Sequence, residues 1–245
     1  MGSGDMKPYE KNSKCIAIIP ARGGSKRIPK KNIKDFLGIP IIAYSIRAAI
    51  ESKLFEEVMV STDDIDIMDI AQHYGAQVPF ERSPKNSDDT ATTSDVIAEV
   101  IQQYDSMGRR FQYVCCMYAT SPFVTQKNLV NAYDLLIKTN ADSVIPVVKF
   151  SYPVMRALKI QSDQKIEFMW PEHSLTRSQD LEPAYHDVGQ FYWLNGKTFR
   201  TTKKIITENT YSIELSELES QDIDTEIDWI VSEEKFKFLK NKGML

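Results

Sequence analysis

The sequence predicts an α/β fold: a mostly parallel sheet with helices on both faces. Three observations predict it. Short, near-continuous apolar runs such as 16–19 and 113–118 suit strands buried on both sides. Between them lie segments whose apolar residues recur at three- and four-residue spacing, as in amphipathic helices. Strand and helix then alternate as far as residue 148, the rhythm of crossover-connected parallel strands.

The first strand covers 16–20. Pro20 ends it, and Gly23-Gly24 opens a loop carrying Arg22, Lys26, Arg27, Lys30 and Lys31. Gly38-Ile39-Pro40 then starts a helix, with proline in its first turn and Ile42, Ile46, Ala49 and Ile50 on its apolar face. Residues 58–62 read as the second strand, with Asp63-Asp64 at the junction to a helix marked by Ile67, Ile70, Ala71 and Tyr74 and stopped by Gly75. A short third strand is expected at 77–80. The polar stretch 81–93 reads as a long loop of the kind that often carries function.

Thr93 or Ser94 caps the next helix, whose face is Val96, Ile97, Val100, Ile101 and Tyr104. Residues 113–118 form the central strand. Thr125 caps a helix with Leu129, Ala132, Tyr133 and Leu136, and 143–148 is another strand. From Phe150 the rhythm changes. Residues 155–160 and 165–169 suggest a hairpin, 170–183 is irregular, and 190–194 is an aromatic-rich strand. Strand-like sequence returns at 205–215. A final helix shows Ile227, Ile230, Val231 and either Phe238 or Leu239.

At 245 residues the chain can bury a full core as one large domain or one and a half. A net charge of −4 disfavours a general nucleic-acid binder, so the basic cluster is a local feature on an acidic background. No apolar run approaches the ~18 residues of a membrane span. Residues 1–14 are too polar for a secretory signal; 1–13 are expected to be flexible, with MGSGD an expression-tag remnant and Met6 the native start. Cys15, Cys115 and Cys116 lie at or in apolar runs. An odd count without framework spacing points to reduced, buried thiols and a cytoplasmic protein. His73, His173 and His186 lack metal-ligand spacing.

In sheets of this kind ligands sit beyond the carboxyl ends of the strands. The basic loop, Asp63-Asp64, the 81–93 loop and Thr120-Ser121-Pro122 are all expected at that edge. Backbone N–H groups of a small-residue turn can nest an anion, and arginines and lysines supply charge. Read alone, the loop also fits a solvated basic segment. Asp222-Ile223-Asp224 places two carboxylates on one side of an extended segment, suited to Mg²⁺ with phosphates and water. Read alone, that pair better fits a helix N-terminus; beside a basic glycine loop the metal reading gains, since phosphate transfer needs both a metal and cations. The chain lacks G-x-x-x-x-G-K-[ST], G-x-G-x-x-G and G-x-S-x-G, which argues against a P-loop NTPase, a dinucleotide-binding Rossmann protein and a nucleophile-elbow hydrolase.

The run Ile18-Ile19-Pro20-Ala21-Arg22-Gly23-Gly24-Ser25-Lys26, with Pro29, Lys31-Asn32 and Ile33, resembles the nucleotide loop of the acylneuraminate cytidylyltransferase (CMP-sialic acid synthetase) family. The likeness continues in order through 60–63, 82–84, 89–92, 120–122 and Asp222-Ile223-Asp224-Thr225-Glu226. It departs at Tyr118 and Val124, where the family carries glutamine and arginine, and across 176–193. Those departures resemble the family's pseudaminic acid branch, in Arg177-Ser178-Gln179-Asp180 and in His186-Asp187 followed by Gly189-Gln190-Phe191-Tyr192-Trp193.

The resemblance implies a Rossmann-like sheet of the nucleotide-diphospho-sugar transferase type, occupying 14–245, with a β-rich insertion at 150–187 used for dimerisation and sugar binding. It implies a Mg²⁺-dependent cytidylyltransferase acting on CTP and a nine-carbon acidic sugar, releasing pyrophosphate, in support of cell-surface glycan or flagellin glycosylation. By resemblance, Arg22, Lys31 and Asp222 are catalytic. Ala21, Arg22, Gly23, Ser25, Lys26, Lys31, Asn32, Arg82 and Thr90, with Asp89 beside it, hold the nucleotide. Asp222 and Asp224 hold the metal. Tyr118, Arg156, Arg177, His186, Gln190 and Tyr192 hold the sugar. Arg156 also reads as a surface arginine and Tyr118 as a contact to the base or as core packing, while Phe191 and Trp193 read as core. A homodimer is implied, with no nucleic-acid or membrane partner. The rivals are activation of N-acetylneuraminate or legionaminate, activation of an eight-carbon acid, a sugar-phosphate nucleotidyltransferase with another base, and a non-catalytic nucleotide-binding protein. Intact Arg22, Lys31, Asp222 and Asp224 speak against the last.

Overall fold

The computed structural model describes residues 14–88 and 90–245. The expectations for 1–13 and for Asp89 fall outside those residues. In chain order come β1 (Cys15–Pro20), β2 (Asp35–Phe36), β3 (Ile39–Pro40), α1 (Ile42–Ser52), β4 (Glu57–Ser61), α2 (Ile65–His73), α3 (Pro84–Ser87), α4 (Thr93–Ser106), β5 (Tyr113–Met117), α5 (Gln126–Thr139) and β6 (Ser143–Lys149). They are followed by β7 (Leu158–Ile160), β8 (Ile166–Phe168), β9 (Tyr185–Asp187), β10 (Phe191–Asn195), α6 (Gly196–Thr202), β11 (Thr210–Glu214) and α7 (Glu226–Asn241).

A seven-stranded sheet runs β11-β6-β10-β5-β1-β4, with β9 continuing alongside β6. β1 is parallel to β4 and β5, and β11 to β6; β10 and β9 run antiparallel. The sheet is therefore mostly parallel and mixed at its centre, and helices cover both faces. One face buries Ile42, Ile46, Leu129, Leu136 and Trp193 beneath α1, α2 and α5. The other buries Ile97, Val100, Tyr104, Leu194 and Phe199 beneath α4 and α6. Residue parity in β5 sorts its two adjacent cysteines between these faces, Cys115 to the first and Cys116 to the second. All three thiols are buried and unbridged, and burial pushes Cys15 up to about 11 and Cys116 to about 12.

Several boundaries differ from the sequence expectation for definite reasons. Pro40 does not begin a helix: Leu37 and Gly38 both take positive φ, as a two-residue hairpin turn requires, and pair β2 with β3. Ile50, expected on the buried face of α1, is 43% exposed. The strand expected at 77–80 is reduced to one bridge, Met59 to Gln77; Pro79 has no N–H to extend it. Thr92, not Thr93 or Ser94, caps α4, because Asp95 three residues on completes a capping box. The 81–93 loop contains the short α3, whose Ser83 N–H and Asn86 amide both donate to Glu99 of α4.

The last helix corrects the largest error. Ile227 and Ile230 are 73% and 60% exposed, and Val231 and Phe238 also face outward; of the expected positions only the alternative Leu239 is buried, and Trp229, Ser232 and Phe236 complete the face. A third apolar cluster forms around them, with Phe36 edge-on to both Trp229 and Phe236 at 5.6 and 5.7 Å. It also contains Ile28 of the basic loop and Ile223 of the Asp-x-Asp segment. Sequence distant by almost the whole chain is thus fastened by one small core. Trp229→Ala should therefore cost about 3–5 kcal/mol of stability, against within about 0.5 kcal/mol for Ile227→Ala. Urea denaturation of the two variants checks the assignment, and equal losses would refute it.

Candidate active site

β1, β4 and β5 are parallel, so their carboxyl ends share one edge. Pro20, Ser61 and Met117 end there, and the loops that follow surround a cavity of about 260 Å³. Its wall includes Arg22, Ser25, Lys31, Asn32, Arg82, Thr92, Thr93 and Tyr118. A second hollow, of about 300 Å³, shares Arg22, Ser25 and Lys31 with it and adds Lys26 and Arg27. The two hollows together present five cationic side chains from the first loop and its neighbours.

The loop is shaped by its own backbone. Ala21 is buried and its N–H bonds Ser61 O at 2.9 Å, continuing the sheet one residue past β1. The Asn32 amide donates to Arg22 O at 2.9 Å, closing the loop on itself. Gly23 directs its N–H toward Asp63 Oδ1 at 3.4 Å. A Cβ on Gly23 would overlap the Asp64 carboxylate, which is committed to capping α2 through Asp66 N and Ile67 N. Asp63 and Asp64 are thus loop and helix anchors. Arg22 reaches across to Asp88 O at 2.9 Å. Because that acceptor is a backbone carbonyl, nothing in the sequence signals it.

Arg82 is buried in the cavity wall. Its guanidinium bonds the Ser61 hydroxyl at 3.1 Å and the Ser61 carbonyl. Burial pulls its pKa below the ordinary arginine value, against the opposing charges of Asp63 and Glu99. Thr90 is exposed and bonds the Asp88 carboxylate with both N–H and hydroxyl at 2.8 Å; it braces the loop and does not line the cavity.

The Asp-x-Asp segment approaches the same edge from the far end of the chain. Lys31 Nζ donates to Ile223 O at 2.7 Å and lies 3.4 Å from Asp224 Oδ1. Arg27 pairs with the other Asp224 oxygen at 3.0 Å. Ile223 points the opposite way into the third apolar cluster, as its alternation with the aspartates requires. Asp222 is exposed at the surface; partial desolvation and then the neighbouring Asp224 charge raise its pKa above the usual aspartate value. Asp224 also sits at the threshold of α7, its N–H bonded to Asp228. The segment therefore leads into the N-terminus of α7, with Thr225 as its cap.

The residues expected at the sugar are not gathered together. Tyr118 lies in the wall of the cation-lined cavity, its hydroxyl 2.8 Å from that of Thr93. Tyr192 is buried, packs edge-on to Tyr118 at 5.7 Å and donates to Asp187 at 2.5 Å; burial and these neighbours raise its pKa. Gln190 is buried and donates to Glu219 O at 2.5 Å, so the structure gives it a place in the framework and not on an open wall. Arg156, Arg177 and His186 are exposed on the 150–187 insertion; Arg156 bonds Ser178 at 3.4 Å and His186 contacts Phe150. Thr93, Asp88 and Asn86 are wall residues missed at the sequence level. The 81–93 loop that carries them was expected at this edge, and the Thr92–Asp95 capping pair is the one further local signal, placing Thr93 at the cavity.

Cations that can cradle a polyphosphate, met by two carboxylates at the carboxyl edge of an α/β sheet, are the equipment of a nucleotidyl-transferring enzyme. The family comparison makes the class specific: a family model described as Cytidylyltransferase matches residues 16–240, and the chain belongs to that family. The chain is similar to a pseudaminic acid cytidylyltransferase of Campylobacter jejuni, 42% identical over 186 residues that span 76% of this chain and 80% of that protein. It is also similar to a CMP-N,N'-diacetyllegionaminic acid synthase of Legionella pneumophila, 36% identical over 228 residues spanning 90% of this chain and 95% of that one. A solved CMP:2-keto-3-deoxy-manno-octonic acid synthetase in complex with CTP superimposes with a TM-score of 0.68 at 16% identity, covering 94% of this chain and 100% of that chain. That last likeness establishes the fold.

Gly23→Ala should weaken nucleotide binding about tenfold, or about 1.4 kcal/mol, while leaving the circular dichroism spectrum unchanged. Calorimetric titration with CTP checks it; an unchanged Kd would mean the loop yields to the Cβ.

Proposed function

We propose that the protein activates pseudaminic acid with CTP, giving CMP-pseudaminic acid and pyrophosphate with Mg²⁺ as the metal. The observation that carries the reading is the junction of Lys31 with Ile223 O and Asp224, which sets the phosphate-binding loop against the two carboxylates. The 42% identity to a relative named for this activity supports the choice of sugar.

In the reaction, the anomeric hydroxyl oxygen of the sugar bonds to the α-phosphorus of CTP, the bond to the bridging oxygen breaks, and pyrophosphate leaves with its electron pair. The hydroxyl proton passes to solvent or to a carboxylate of the site. Arg22, Lys26 and Lys31 surround the space for the triphosphate, where fixed cations stabilise charge on the leaving oxygens. Ser25 and the Asn32-closed loop orient the chain of phosphates. Arg82, held by Ser61, offers its remaining donor capacity to the nucleotide.

Asp222 and Asp224 fit Mg²⁺. Among the described residues no three His, Cys, Asp or Glu side chains converge as a complete metal cage. Two carboxylates with the remaining positions left to phosphate and water is the arrangement Mg²⁺ favours. Partial desolvation first, and then the Asp224 charge, raise the pKa of Asp222, and a divalent cation between the two carboxylates would offset the second of these. When bound, the metal would supply Lewis-acid polarisation of the phosphate oxygens.

We also infer a homodimer in which the 150–187 insertion meets a second copy. Tyr152, Ile160 and Leu175 stand 85%, 76% and 96% exposed on it, which supports an unfinished surface. Arg156 and Arg177 would then act on the sugar carboxylate from that arm. A cytoplasmic setting is consistent with three unbridged buried thiols.

Pyrophosphate release with CTP and Mg²⁺ should be fastest with pseudaminic acid, set against legionaminic, neuraminic and eight-carbon 2-keto acids. Preference for one of those sugars would reassign the substrate. Arg22→Ala, Lys31→Ala and Asp222→Asn should each lose about 10²–10³-fold in kcat. Chelation by EDTA should abolish turnover and added Mg²⁺ restore it; turnover in EDTA would refute the metal.

A further inference from the structure

The turn that precedes Asp222 is held in an unusual way. Three of its backbone carbonyls, those of Glu217, Glu219 and Ser220, each accept a hydrogen bond from a side-chain N–H of a distant element. Lys235 of α7 donates to Glu217 O at 3.2 Å and to Ser220 O at 3.0 Å. Gln190, next to β10, donates to Glu219 O at 2.5 Å. Asn128 of α5 adds a fourth tie, to the Glu219 carboxylate at 3.4 Å, while the other oxygen of that carboxylate closes a capping box on Ser216. Beyond Asp222, Asp228 takes the N–H groups of Asp224 and Thr225. The two aspartates therefore hang on a segment pinned at both ends.

The chemistry of the ties is informative. Lys235 is partly buried, and burial lowers its pKa, yet its ammonium meets only carbonyls here. Gln190 is 1% exposed, and its amide oxygen is buried without a hydrogen-bond partner among the described residues. An orphaned buried acceptor is costly, and the geometry keeps it so that the amide N–H₂ can face Glu219 O. Neither side chain touches the cation-lined cavity. Both instead hold the turn that leads into Asp222.

We propose that Lys235 and Gln190 are positioning residues for the metal-binding carboxylates: they clamp the 217–220 turn so that Asp222 meets the cation in register. This rests on the reading of Asp222 and Asp224 as metal ligands. The clamp acts on metal affinity and leaves the phosphate loop alone.

The test is a Mn²⁺ titration followed by electron paramagnetic resonance, with CTP present and no sugar, on full-length wild type, Asp222→Asn, Lys235→Met, Lys235→Gln and Gln190→Met. Thermal melts accompany each. Lys235→Met and Gln190→Met should weaken Mn²⁺ binding about tenfold, and Lys235→Gln, which keeps a donor, should recover part of the loss. CTP affinity without metal should change less than about twofold. If Asp222→Asn abolishes Mn²⁺ binding while both clamp variants bind as wild type does, even with a lowered Tm, the clamp is structural only and the proposal fails. If Asp222→Asn binds Mn²⁺ like wild type, the metal reading itself fails. Should Lys235→Met not fold, the Gln190→Met titration alone decides between the first two outcomes.

Discussion

The site depends on one contact, the bond from Lys31 Nζ to the backbone carbonyl of Ile223, across 192 residues of chain. A side chain that seeks a carbonyl does not depend on which residue supplies it, but it does depend on where that carbonyl is. Ile223 answers that need by burying its side chain in a cluster that also holds Ile28, three residues ahead of Lys31. Apolar burial therefore fixes the distance, and the ammonium takes up the polar group that burial exposes. Remove the cluster and the bond has no reason to form at that place.

Charge explains why the arrangement stays open to substrate. Asp222 and Asp224 bring two negative charges, and Lys31 and Arg27 face Asp224 with two positive ones. The segment is close to neutral on its own, so the fold can hold it at the surface without a ligand. Arg27 is largely exposed, where a salt bridge contributes little. A polyphosphate entering the adjacent hollow offers it a stronger partner at small cost. Lys31, more buried and bonded to a carbonyl as well, is the fixed member of the pair.

The sheet and most helices were legible because period and caps report local structure. All five apolar positions expected on α4 are buried, and Thr125 caps α5 as expected. The failures are equally physical. In α7 the choice between two apolar stripes depends on a tertiary partner: Phe36 draws in Trp229 and Phe236, and leaves Ile227 and Ile230 outside. That Arg22, Ser25, Lys31, Asn32 and Arg82 meet around one cavity was readable, since they lie in short loops at strand ends. Asp88 and Lys235 were not, because they act through, or upon, backbone carbonyls, which carry no sequence signature.

Tyr118 shows what a departure from a family pattern can and cannot identify. Its position suggested a contact with sugar or base, and its hydroxyl meets Thr93 at the start of α4, inside the cation-lined cavity. Its ring then touches Tyr192, whose hydroxyl reaches Asp187 at the end of β9. The aromatic pair thus spans the sheet edge from the nucleotide wall to the strand where the insertion returns. A change of residue type at 118 alters the packing of both halves together. Such a position can distinguish one branch of enzymes from another without its side chain being the group that recognises the sugar.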